Sequence, residues 1–340
     1  MDSEDVICHR RQDLVSCALA GGDMDKRRAT LQQLLTKEML GIEIGALHTP
    51  TVPKRDGWNV ISVDHDTTEG LTRAYKGDPN VVAESLQPVD VVWNHGLISD
   101  ALKHSGYGER HFDYIVASHV IEHFPNLLGT LRDFELMMRD EGVLVLAVPD
   151  MRYCFDFFMP MSSTAEVLTA HHRKRSRHTR ESFFRMAAYD VLNRDTNLSG
   201  WADGNVKNFR FLSNLHHAYD RFVQHDESND AKYIDNHTWY FTPSSFSLIM
   251  LELRALDLIA FEIVLKEPGP HGEFLVSLRK RAEPLLLSED ELNNHRMALL
   301  RSSVVELAQR AVMLGLMEKP AQFPEAARSC VSSDPPLAFH

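Results

Sequence analysis

The chain lacks what a membrane protein, a secreted scaffold or a nucleic-acid binder is built from. Its 340 residues contain no run of about 18 or more apolar residues, the length a membrane-spanning helix needs. The opening MDSEDVICHRRQD does not have the basic-then-apolar order of a secretion signal, so a cytoplasmic location is the expectation. Four cysteines, Cys8, Cys17, Cys154 and Cys330, are scattered without a CxxC pair. That spacing excludes a disulfide framework and a zinc knuckle and predicts reduced thiols. Positive charge is short as well: 36 Lys and Arg against 48 Asp and Glu give a formal net charge of -12. Affinity for nucleic-acid phosphates is therefore not expected. No internal repeat is visible.

What is present is an alternation of short apolar runs with helical patterns. LGIEIGAL, WNVISVD, VDVVW, FDYIVAS and GVLVLAVP each read as a buried strand. Runs rich in Val and Ile that alternate with helices are what a parallel sheet covered on both faces requires. Ahead of the first strand, the stretch from Asp23 to Met39 places Leu31, Leu34, Leu35 and Met39 at helical spacing. The chain then divides as follows: an N-terminal segment, 1–22; an α/β cofactor-binding domain, 23–150; a helical insertion rich in His, Arg and aromatics, 151–238; and a last helix with a closing antiparallel hairpin, 239–281. An amphipathic helix at 282–319 and a disordered Pro- and Ser-containing tail at 320–340 complete it. Thr242 and Pro243 open the last helix of the sheet domain, and the SxxE pattern of Ser288 and Glu291 caps the C-terminal helix. That helix carries Leu292, Leu299, Val304, Leu307, Ala311 and Leu314 near heptad spacing, for packing on the domain or on a second copy as a homodimer.

In such sheets ligands bind beyond the carboxyl ends of the strands. The first strand runs into Glu43, Gly45, Ala46, Leu47 and His48, and the second ends in Asp64 and His65. An acidic residue roughly 20 positions after the first turn is placed to accept hydrogen bonds from a ribose. The turn has one glycine where a pyrophosphate-binding loop has three, which favours a nucleoside ligand without a phosphate.

In order, EIGALHTP, NVISVDH, VDVVWNHG, FDYIVASHVIEHF and EGVLVLAVPDMRYCFDFFMP resemble the successive motifs of class I S-adenosylmethionine-dependent methyltransferases. The likeness is to a bacterial subgroup with EIGxLHxP and LAVPDxRxxFD, and it covers about residues 24–160 and 237–280. It implies a Rossmann-like seven-stranded sheet, mostly parallel with a closing antiparallel hairpin, and a helical insertion after the fifth strand. It implies S-adenosyl-L-methionine as cofactor, held by Glu43, Gly45, Ala46, Leu47, His48, Asp64, His65, Asn94, Gly96, Leu97, Ser118 and His119. The reaction implied is methyl transfer by in-line displacement, with proximity as the main catalytic contribution. The acceptor is expected to be a small molecule or glycan precursor. It is not expected to be a nucleic acid or a membrane.

Around the acceptor the sequence offers Glu122, His123, Asp150, Arg152, Tyr153, Asp156 and His237, with His119 as candidate general base. The basic run HHRKRSRHTR, 171–180, is suited to an anionic group on the acceptor or to a solvated helix face. His119 to His123 also spell HxxEH, a zinc hydrolase signature when both imidazoles share a helix face. Pro125 two residues later and the preceding strand argue against that helix, and no metal ligand set is expected. A non-catalytic or non-methylating S-adenosylmethionine-binding module is the alternative that the single-glycine loop leaves open.

Overall fold

The computed structural model describes residues 21–318 apart from 79–80, 83–84, 95, 109–110, 202–205, 229–233 and 271. The segment 1–20 and the whole tail 320–340, on which two expectations bear, lie outside the described residues. Seven strands form one sheet: β1 (Gly41–Ile44), β2 (Val60–Asp64), β3 (Val91–Val92), β4 (Phe112–Ser118), β5 (Met138–Pro149), β8 (Phe261–Pro268) and β9 (Glu273–Lys280). Their order is β3-β2-β1-β4-β5-β9-β8, and β9 alone runs antiparallel to its two neighbours. This is the Rossmann-like seven-stranded sheet expected from the sequence, mostly parallel with a closing antiparallel hairpin.

Alternation along the strands builds two apolar layers, since successive side chains leave a strand on opposite faces. Ile42, Ile44, Ile115, Ala117, Leu144 and Leu146 join one core with Leu127, Leu131 and Phe134 of α4 (Leu127–Met137) and Phe246, Ile249 and Leu253 of α8 (Pro243–Ala255). Tyr114, Val116, Val143, Val145 and Leu275 face the other way, with Leu31 of α1 (Gly21–Gln32), Leu35 and Val52. The first helix is shorter than its apolar spacing predicts. It stops at Gln32, and Leu35 is held by a turn bond from its N–H to the Gln32 carbonyl at 2.9 Å.

Gly41 shows why a small residue opens β1. A Cβ there would stand 2.0 Å from the Tyr114 ring, which is itself fully buried and packed edge-on against Trp58. Gly41→Ala is expected to lower unfolding free energy by about 1–3 kcal/mol through overpacking, measurable by urea titration.

Helices α2 (Thr68–Ala74) and α3 (Ile98–His104) follow β2 and β3. The insertion contains α5 (Thr164–His172), α6 (Arg180–Tyr189) and α7 (Leu215–Gln224). It also contains a two-stranded hairpin that the sequence reading missed, β6 (Val191–Asn193) with β7 (Phe209–Phe211). The strands are three residues each, too short to show a periodicity.

The C-terminal α9 (Glu289–Met313) is capped by Ser288 with Glu291 as expected, and it packs on the domain. Buried Glu306 accepts from the Ser244 hydroxyl at 2.8 Å, and Arg310 donates to the Phe157 carbonyl at 2.6 Å. Val304 is exposed, contrary to its place in the heptad pattern. No helix among the described residues is long and apolar enough to cross a membrane.

Candidate active site

Strand register brings the expected residues to one edge. Ile44 is level with Val63 on β2 and with Ala117 on β4, so Gly45, Asp64 and Ser118 leave the sheet side by side. Gly45 has φ +68°, and a Cβ on it would press on Val120 Cγ2 at 3.1 Å. The turn after β1 therefore abuts the turn after β4. Leu47 also has positive φ, +42°, which is strained for a branched side chain.

Glu43 is buried in β1 and holds that turn from behind. Its carboxylate accepts from the backbone N–H of Thr51, from that of Val52 at 3.3 Å, and from Gln87 Nε2 at 3.2 Å. Burial pushes its pKa up to about 7, although those hydrogen bonds pull the other way. Glu43 is thus a positioning residue. Asp64 is buried at the end of β2, and Oδ1 accepts from both the backbone N–H and Nδ1 of His65 at 2.8 Å. That hydrogen bond raises the His65 pKa, and both bonds fall on Oδ1, leaving Oδ2 for a ligand hydroxyl. His48 is half-buried, and its Nδ1 has no hydrogen-bond partner among the described residues; burial lowers its pKa. Asn94, Gly96 and Leu97 lie exposed after β3, with Gly96 at φ +72° and its carbonyl accepting from Trp93 Nε1 at 3.1 Å.

Antiparallel β9 supplies what the sequence reading missed. Because it runs backwards, its first residue, Glu273, sits opposite Pro149, at the edge where the parallel strands end. Glu273 and Ser118 both point to the α1 side of the sheet, as the alternation from Leu275 and Val116 dictates. Arg27 of α1 meets them there: Nε lies 2.6 Å from Glu273 Oε1, and Nη2 lies 2.7 Å from Ser118 Oγ. His119, at φ +53°, turns its Nε2 to Glu273 Oε2 at 2.8 Å. Burial pushes the Glu273 carboxyl up, but Arg27 and His119 outweigh it and hold the pKa at about 2. The carboxylate accepts from His119 Nε2–H, and in the neutral imidazole Nδ1 is then the acceptor.

The HxxEH stretch is not an α-helix. Only Ile121–His123 form a single 3-10 turn, so His119 and His123 do not share a helix face. Glu122 is nevertheless fully buried, and neither of its carboxylate oxygens has a hydrogen-bond partner among the described residues. Its Oε1 lies 3.8 Å from His119 Nδ1, 3.7 Å from His123 Nε2 and 3.9 Å from His237 Nε2.

His237 arrives from the exit of the insertion, which is pinned by bonds from the Thr238 and Trp239 N–H groups to the Glu122 carbonyl. Asp156 accepts from His237 Nδ1 at 2.7 Å, and Asp235 from His123 Nδ1 at 2.8 Å.

The other expected acceptor residues are engaged with one another. Arg152 forms a buried ion pair with Asp150, Nε to Oδ1 at 2.8 Å, and reaches Gln309 of α9. Tyr153 stacks under that guanidinium at 5.2 Å and closes on Gly272, where a Cβ would stand 2.3 Å from its own. The basic run divides between the end of α5, a turn and the start of α6. Arg180 N–H donates to Glu227, and His178 is buried with Nδ1 2.8 Å from Thr238 Oγ1. Cys154 is a buried free thiol whose pKa burial raises well above the usual value.

Residues 54–203 match a family model described as a methyltransferase domain. No curated protein matches the sequence. Among solved structures, the chain is similar to the CcbJ methyltransferase from Streptomyces caelestis at 12% identity and TM-score 0.38, covering 76% of this chain and 95% of that one. It is similar to magnesium protoporphyrin IX methyltransferase (ChlM) from Synechocystis PCC 6803 with bound SAH, at 9% identity and TM-score 0.37, covering 82% and 95%. A third is 1,6-didemethyltoxoflavin-N1-methyltransferase from Burkholderia thailandensis, at 13% identity and TM-score 0.37, covering 81% and 84%. Overlap this low carries no argument about substrate or activity.

Proposed function

We propose that the chain is a class I methyltransferase that uses S-adenosyl-L-methionine to methylate a small-molecule or glycan-precursor acceptor. The observation that carries the reading is that residues 54–203 match a methyltransferase domain. The donor set fits the cofactor: a strained single-glycine turn after β1, and a buried carboxylate after β2 with one oxygen turned from its His65 bonds. Glu43 fixes the turn of Gly45, Ala46, Leu47 and His48 around the methionine part. Asp64 accepts from the ribose hydroxyls beside His65, while Asn94, Gly96 and Leu97 border the adenine, and Ser118 and His119 close the site at β4.

When bound, the sulfonium cofactor supplies an activated methyl group, and displacement in line with sulfur needs mainly that the acceptor be held in place. His119 is placed to accept the acceptor's proton at Nδ1, because Glu273 keeps the other ring proton on Nε2.

Titration calorimetry with S-adenosylmethionine and S-adenosylhomocysteine tests the reading: binding of both is expected, and a folded protein that binds neither would sink it. Asp64→Ala is expected to weaken that binding by roughly 10- to 100-fold, the equivalent of hydrogen bonds to a charged group at about 1.5–3 kcal/mol. Unchanged affinity in that variant would misplace the ribose.

A further inference from the structure

The turn after β4 and the exit of the insertion together build a cluster that methyl transfer does not require. Among the described residues, Glu122, His123 and His237 bring three potential ligand atoms within 4.8 Å of one another. Each histidine is oriented by a carboxylate behind it. Asp235 holds His123 at Nδ1, Asp156 holds His237 at Nδ1, and Glu273 holds His119 at Nε2. As acceptors, these carboxylates place each ring proton on the nitrogen that faces them, and the opposite nitrogen keeps its lone pair.

Those opposite nitrogens are the ones that point at Glu122: His123 Nε2, His237 Nε2 and His119 Nδ1. Lone pairs therefore converge on a fully buried carboxylate whose two oxygens have no hydrogen-bond partner among the described residues. A fully buried carboxylate with no hydrogen-bond partner among the described residues is unfavourable unless a cation sits beside it.

We propose that this cluster binds a first-row divalent transition-metal ion, with Glu122, His123 and His237 as ligands. The chemistry of the donors selects the class, because imidazole nitrogens suit zinc, iron or cobalt and not calcium or magnesium. A carboxylate behind each ligating imidazole is the usual outer support of such centres. The spacing also suits it. Ligand atoms about 3.4 Å apart surround a tetrahedral zinc ion; here Glu122 Oε1 lies 3.7 Å from His123 Nε2 and 3.9 Å from His237 Nε2, and the three ligand atoms all lie within 4.8 Å of one another.

The proposal departs from the sequence-based expectation of no ligand set. HxxEH supplies ligands through a 3-10 turn instead of a helix, and the further ligand comes from His237. If the methyl-transfer reading holds, on which this last step rests, an open coordination position takes an oxygen of the acceptor. The acceptor would then be a hydroxyl or carboxylate compound.

Untagged full-length protein, stripped with a chelator and titrated with Co2+, is expected to develop ligand-field absorption at one equivalent. Zn2+ should displace that signal. Glu122→Gln is expected to lower Co2+ affinity at least about 100-fold and Asp156→Asn about 10- to 100-fold. Wild type that takes up no cobalt overturns the proposal; the competing arrangement, an imidazolium paired with Glu122, predicts that result. Equal affinity in Glu122→Gln overturns it too. Should that variant not fold, X-ray absorption of the cobalt-loaded wild type decides, with two imidazoles expected and their absence overturning the assignment. S-adenosylhomocysteine binding on the same samples separates the two readings. Metal uptake without nucleoside binding removes the methyl-transfer reading alone, and nucleoside binding without metal uptake removes this one alone.

Discussion

Glu273→Gln is expected to lower the free energy of unfolding by about 3–5 kcal/mol, the usual result of removing one partner from a buried ion pair. The cost comes from Arg27, whose buried guanidinium would keep its charge and lose two carboxylate contacts at 2.6 and 3.0 Å. His119 would lose the acceptor that sets its tautomer.

The pH dependence follows from the direction of the shift. A carboxyl whose folded pKa is about 2, against 4.5 ordinarily, contributes stability that is complete above 4.5. That contribution disappears as pH falls from about 4.5 toward 2 in the wild type and is missing from the variant. Glu43 acts with the opposite sign: its pKa of about 7 means that stability declines as pH rises from 4.5 through 7. Urea titrations of wild type and Glu273→Gln at pH 7 and at steps between pH 5 and 3 check both statements. Curves that stay parallel down to pH 3 would mean that Glu273 is not the ionised partner of Arg27.

Trp239→Ala carries a comparable expected loss, about 3–5 kcal/mol, as for other fully buried aromatic residues cut back to alanine. Trp239 is 2% exposed within the larger apolar core, and its Nε1 donates to the Phe124 carbonyl at 2.6 Å. The same residue's backbone N–H reaches the Glu122 carbonyl at 3.2 Å. It is therefore the bolt between the exit of the insertion and the turn that carries Glu122 and His123. Trp239→Phe keeps most of the packing and should cost only about 1–2 kcal/mol, for the carbonyl left without its donor. Chemical denaturation of the pair measures the difference. If the two variants were equally stable, the packing role assigned to the indole would fail.

Both residues were invisible to the sequence reading, for different reasons. Trp239 stands in HTWYFTPSSF, a stretch read for its helix cap, and nothing local says that its ring faces the core. Glu273 opens a strand that looks like the end of the domain. It becomes a site residue because β9 inserts backwards between β5 and β8. Its partner Arg27 lies 246 positions away and His119 lies 154 away. By contrast, Gly45, Asp64 and Ser118 were legible at once, because each directly follows or ends an apolar run and parallel strands align their ends. The missed hairpin of β6 and β7 in the insertion shows the lower limit of that legibility, since three residues are too few to carry a pattern.

The sequence by itself determined the sheet. Apolar runs, their spacing and their punctuation by Gly, Pro and capping residues depend on neighbours a few positions apart, and such short-range preferences were sufficient for strands, caps and the order of motifs. Tertiary structure alone decided what the histidines face. HxxEH read locally offered a helix and a zinc pair, and Pro125 argued against both; folded, it is a 3-10 turn that sets Glu122, without a hydrogen-bond partner among the described residues, beside three imidazoles. Two of those imidazoles belong to the motif, and the third comes from the far end of the insertion. The pairing of His123 with Asp235, His237 with Asp156 and His119 with Glu273 depends on strand register and on the path of the insertion, which short-range preferences do not encode.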